Sequence, residues 1–113
     1  MHSRVPEVDV AEVPAAGLLL DVREQDEWVA GHAEGALHIP MSDFVARYGE
    51  LTERAGEGER VFVVCRSGGR SAQVTQYLRQ QGVDAVNVGG GMQAWEAAGR
   101  PLITESGAPA HVA

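Results

Sequence analysis

Apolar residues in this chain gather in short runs separated by glycine and charge. GLLLDV, Gly17 to Val22, is one such run, bounded by glycine and a charged cluster, and it predicts a buried strand. EQDEWVAG follows with helix-forming residues and stops at Gly31, read as a C-terminal cap. ALHIP predicts a brief strand ended by Pro40. In SDFVARYGEL, Phe44, Val45 and Tyr48 recur at helical spacing, with Ser42 placed as N-cap. RVFVV is β-branched or aromatic after its first residue, the signature of a central strand covered on both faces. SAQVTQYLRQQG predicts a helix with Val74, Tyr77, Leu78 and Gln81 on one face and Gly82 at its end. DAVNVGGG predicts a further strand running into a glycine turn, and MQAWEAAG a helix stopped at Gly99. Trp28, Trp95 and Met92 are assigned to the core. The tail ESGAPAHVA has no periodicity, which divides the chain into a domain over 1–104 and a flexible segment over 105–113.

Strands that alternate with helices across short loops imply an α/β fold, with a mostly parallel sheet and helices on both faces. Val61 to Val88 forms a strand–helix–strand unit, expected to cross over right-handed. In open sheets of this kind ligands bind beyond the carboxyl ends of the strands. Cys65 stands at such an end.

Composition narrows the function. The 113 residues suit one domain with its own core. Sixteen acidic groups against nine basic ones, all Arg, give a formal charge of -7, which argues against a nucleic-acid or anionic-membrane partner. No apolar run approaches the ~20 residues of a membrane span, and MHSRVPEVDV lacks the plan of a signal peptide. A cytoplasmic location is therefore expected. The single cysteine excludes an internal disulfide and a multi-cysteine metal site, and the four histidines are too scattered for another; no metal and no cofactor are expected.

A lone cysteine after an apolar strand is ordinarily a small buried hydrophobe. The residues after Cys65 change that reading: Arg66, Ser67, Gly68, Gly69, Arg70 and Ser71 form a strand-to-helix turn. Glycines permit the positive φ angles with which backbone N–H groups turn inward as a nest. A helix beginning near Ser71 adds unpaired amides and the positive end of its dipole. The result is an anion-sized cup around a sulfur that it favours as thiolate. A phosphate-binding loop with an incidental cysteine is the alternative, and it lacks the Lys-Ser/Thr ending of a nucleotide P-loop.

VCRSGGRS, together with LLDVREQDEWVAGHAEGALHIP and VGGGMQAW, resembles a single-domain rhodanese of the thiosulfate sulfurtransferase family, from about Val8 to Leu102. The resemblance implies a five-stranded, mostly parallel sheet and a catalytic Cys65. It also implies transfer of sulfane sulfur from a small anionic donor such as thiosulfate, through a Cys65 persulfide, to cyanide or a thiol. A persulfide relay or sensor module working with a protein partner is the second reading. The related Cdc25-type phosphatases carry one more residue between Cys and Arg than the six-residue span Cys65 to Arg70, so a phosphatase or arsenate reductase is the remote one.

Asp21 and Arg23, in DVRE, resemble a recurrent feature of the family. Arg23 either lines the pocket or pairs with Glu27 one turn on, while Asp21 ties down its loop; pairing is the favoured reading. His32 is expected to bond loop backbone rather than to serve as a base, since an amide cup acidifies a thiol without one. Gly31 and Gly35 read as turn formers. Gly89 to Gly91 lack GxGxxG spacing and read as a strand-to-helix turn passing close to the Cys65 loop.

Overall fold

The computed structural model describes residues 5–113. Strand β2 (Leu18–Asp21) has all four residues buried, as do β4 (Val61–Val64) and β5 (Ala85–Val88). Two shorter strands complete the sheet, β1 (Glu7–Val8) and β3 (Leu37–His38). The order is β1-β5-β4-β2-β3, and every pairing is parallel.

Period-two alternation explains how an apolar strand is buried twice over. Leu18, Leu20, Val61, Val63 and Ala85 join one core cluster with Leu51, Ala55, Val74 and Leu78 from helices α2 (Tyr48–Ala55) and α3 (Gly69–Gln80). Leu19, Phe62, Val64, Val86 and Val88 point the other way. They pack with Met92 and Trp95 of α4 (Gly91–Ala97) and with Val10 of a 3-10 turn. The expected α/β fold with helices on both faces is therefore present, and the sheet is wholly parallel.

Several local expectations differ. The helix predicted over SDFVARYGEL is a 3-10 turn (Met41–Asp43), a further turn over 44–47, and only then α2. Val45 is 77% exposed instead of sharing a buried face with Phe44. Ser42 caps no α-helix: its hydroxyl donates to Glu24 Oε1 at 2.8 Å. On α3 the buried face is Ser71, Val74, Thr75 and Leu78, and Gln81 lies exposed beyond its end. Trp95 and Met92 are core. Trp28 is only half-buried, stacked between the rings of His32 (3.6 Å) and His38 (4.5 Å) rather than packed in either cluster.

Candidate active site

Strand β4 ends at Val64 and delivers Cys65, 1% exposed, to the carboxyl edge of the sheet. Helix α3 begins at Gly69, two residues earlier than expected, so Gly69, Arg70 and Ser71 already lie in its first turn. Gly68 sits just before it with φ of 115°, the left-handed geometry that turns its N–H toward the sulfur. That amide donates to Cys65 Sγ at 3.0 Å, and Ser71 Oγ lies 3.3 Å from the same atom.

Burial pushes the Cys65 thiol up, because a thiolate loses water there. The Ser71 hydroxyl and the amides of Ser71, Gly68 and Ser67 outweigh it, and the thiol is held below its ordinary value. An anion at this position is thus stabilised by the dipoles of the loop.

The far side of the loop is fixed by the glycine turn. Met92 and Gln93 at the start of α4 donate to the carbonyls of Cys65 and Arg66 at 2.8 and 3.0 Å. Gly91 adopts φ of 58°, and a Cβ there would collide with both carbonyl oxygens. The close approach read from Gly89–Gly91 is present, and its reason is this contact.

The two loop arginines are both engaged. Arg70 forks onto Glu27 of α1 (Gln25–Ala30) at 2.7 and 2.9 Å, which lowers the Glu27 carboxyl to about 2 and raises Arg70 further. Arg66 is exposed, and its Nε donates to the Ala113 carbonyl at 2.8 Å. The pairing of Arg23 with Glu27 does not form as expected. Arg23 instead binds Asp21, with Nη2 2.7 Å from Oδ2, and donates to the main-chain carbonyls of Gly31 (2.8 Å) and Glu27 (3.3 Å). Both side chains of that pair are sealed from solvent, 0% and 1% exposed.

His32 bonds backbone, though that of helix α1 rather than of a loop: Nδ1 donates to the Trp28 carbonyl at 2.8 Å, while Nε2 faces Glu105 at 3.0 Å. Neither contact involves Cys65. Gly35 has the positive φ of a turn former, 81°. Gly31 does not: its backbone is extended, and it matters because a Cβ would strike the His111 main chain. Residues 105–113 run along this side, with His111 N donating to the Ala30 carbonyl at 3.0 Å and Val112 N to Glu96 at 3.1 Å.

Sequence reasoning missed Asn87, which is buried at the end of β5 against the loop, and the 43-residue link from Arg70 to Glu27. Among the described residues no cluster of His, Cys, Asp or Glu is arranged to hold a metal. A groove of about 390 Å³ opens elsewhere, at the amino end of β2, lined by Leu18, Trp95 and Arg100. It shares no residue with the Cys65 loop, where the chemistry-bearing groups converge. Among the described residues no helix is long and apolar enough to cross a membrane.

Residues 8–98 match the family described as Rhodanese-like domain. YtwF of Bacillus subtilis (strain 168) is 45% identical over 83 residues, 74% of this chain and 77% of its own. A sulfurtransferase of Allochromatium vinosum is 37% identical over 91 residues, 80% of this chain and 81% of that one. The crystal structure of a rhodanese-related protein from Thermoplasma volcanium aligns with a TM-score of 0.79 at 29% identity, covering 88% of this chain and 99% of its own. In two longer relatives the matched segment spans only 40% and 51% of the protein. Fold, loop and relatives agree, and the chain belongs to the rhodanese-like sulfurtransferase family.

Proposed function

We propose that Cys65 is the nucleophile of a sulfurtransferase that takes sulfane sulfur from thiosulfate and passes it to cyanide or a thiol. One observation carries the reading: Sγ at the end of β4 accepts a hydrogen bond from the Gly68 amide and lies within reach of the Ser71 hydroxyl. The thiolate attacks the outer sulfur of thiosulfate. A sulfur–sulfur bond forms to Sγ, and the bond to the sulfonate sulfur breaks. Sulfite leaves with that electron pair and needs no proton, so no general acid is required. The acceptor then attacks the outer sulfur of the persulfide and returns Cys65 as thiolate.

The amides from Arg66 to Ser71 hold the anionic outer sulfur in this scheme. Arg70, neutralised by Glu27, sets the helix in place, while Arg66 supplies exposed positive charge. Asp21, Arg23 and His32 support the neighbouring loop rather than touch the donor. The scheme calls for no nucleic acid, membrane or cofactor, and a reducing cytoplasmic setting suits a free-thiol cycle. A second reading is a relay that hands its persulfide to a protein partner, and the single cysteine suits it equally. With no second thiol to resolve it, the persulfide must be collected from outside.

Intact mass after incubation with thiosulfate tests the proposal. The expected result is a gain of one sulfur, reversed by cyanide and absent in Cys65→Ser. A protein that never loads sulfur, from thiosulfate or from a persulfide donor, overturns it. Loading that discharges only onto another protein selects the relay.

A further inference from the structure

Asn87 has no part in the steps above, yet it is the one polar residue of β5 and is 2% exposed. Alternation along the strand puts it on the α3 face, beside the loop. Its neighbours orient its amide. Nδ2 lies 3.2 Å from the Gly68 carbonyl and 3.4 Å from the Glu7 carboxylate, both of them acceptors. Oδ1 is thereby turned to Ser71, whose hydroxyl donates to it at 2.6 Å. The same hydroxyl oxygen lies 3.3 Å from Cys65 Sγ and 3.3 Å from the Gly68 carbonyl.

A serine has one proton to donate. The Gly68 carbonyl already receives the Ala72 amide at 3.1 Å and Asn87 Nδ2. Two acceptors remain in contention, Asn87 Oδ1 and the sulfur.

We propose that Asn87 is a positioning residue that competes with Cys65 for the Ser71 proton, so that the hydroxyl turns from Asn87 to the sulfur whenever Cys65 becomes a thiolate. In the thiol state Sγ–H donates to Ser71 Oγ, and the Ser71 hydroxyl donates to Asn87 Oδ1. A base from solvent removes the thiol proton. The hydroxyl then rotates, its bond to Asn87 breaks, and a bond to the anionic sulfur forms. No bond between heavy atoms changes and no electrons are transferred. Asn87 thus sets how much of the Ser71 dipole the thiolate receives. The consequence for turnover rests on the sulfur-transfer reading, since each cycle returns a thiolate; the effect on acidity does not.

The charged groups around this cluster are Arg66 and Arg70 on the loop side, Glu24 and Glu27 from the α1 side, and Glu7 behind Asn87. All are kept in the variants that test the idea. The measurement is the pH dependence of Cys65 alkylation by iodoacetamide in the wild type, Asn87→Ala, Ser71→Ala and the double variant. Asn87→Ala lowers the midpoint by about half a pH unit, the scale of one neutral hydrogen bond. Ser71→Ala raises it by about one unit, because a bond to an anion is lost. The double variant matches Ser71→Ala, since nothing is left to compete for.

An equal Asn87→Ala shift in both backgrounds would show that the loop has merely distorted, and overturns the proposal, as does a midpoint that stays or rises. Should Asn87→Ala not fold, Asn87→Val, better suited to a strand, carries the same comparison. Sulfur loading by mass on the same samples separates the two readings. A wild type that never loads counts against the proposed function, whereas the four alkylation midpoints alone decide the role of Asn87.

Discussion

Two strand-to-helix turns stand side by side at the carboxyl edge of the sheet and treat charge in opposite ways. The turn after β2 follows directly on Asp21, whose carboxylate is closed off by Arg23 at 2.7 Å with both side chains out of solvent. The turn after β4 begins at Cys65, which meets an amide and a hydroxyl instead of a cation. A full charge beside an anion neutralises it and makes a wall. Neutral dipoles stabilise an anion while leaving it a nucleophile. The turns are joined by Arg70 and Glu27, so the wall also anchors the helix that supplies those dipoles.

The sharpest way to break this contrast is to open the wall. Arg23→Met leaves Asp21 buried and unpaired, and is expected to cost about 3–5 kcal/mol in urea denaturation. Asp21→Leu with Arg23→Met recovers most of it, because the uncompensated charge is gone. A loss under about 1 kcal/mol for the single variant would mean that the pair is not a structural unit.

Cutting the link between the turns has a smaller effect. Glu27→Gln is expected to destabilise by about 1 kcal/mol near neutral pH, as befits a half-buried bidentate pair. The sign with pH comes from a carboxyl lowered from 4.5 to about 2. The folded state binds that proton less readily than the unfolded chain, so the pair's contribution is complete above about pH 4.5 and is lost as pH falls through about 2. Wild type and variant should therefore converge in acid, and a gap that stays constant down to that pH would assign the difference to packing.

Arg66→Gln should change least. Its side chain is exposed, so stability moves by less than about 0.5 kcal/mol. The rate of sulfur loading from thiosulfate falls several-fold at low salt and converges with wild type at high salt. A salt-independent deficit would point to a direct contact with the donor.

What could be read along the chain depends on the range of each interaction. Strands β2, β4 and β5 announce themselves because burial on both faces makes nearly every residue apolar. Cys65 and its loop were legible because strand, sulfur, glycine turn and helix are contiguous. Strand β1 was not: two residues paired to β5 by main-chain bonds carry no period. The helix placed at Ser42 failed because Phe44, Val45 and Tyr48 match a helical spacing while Ser42 is drawn to Glu24, eighteen residues back. Asn87 had no signal of its own, since its partners Ser71 and Gly68 are 16 and 19 residues distant. Arg23 was misassigned for a subtler reason. Spacing offered Glu27 at i+4, but the fork reached backward to Asp21, which left Glu27 for Arg70.

The near-complete burial of Cys65 has one more consequence. At 1% exposure the resting sulfur is almost absent from the molecular outline. The proposed persulfide adds an atom about 2 Å further along, and since Cys65 shares one core cluster with Val63 and Val74, the added atom in that scheme points to the mouth of the loop. Loaded and empty protein then differ in silhouette at one spot, by one atom. A partner with a matching dimple could tell full from empty by touch alone.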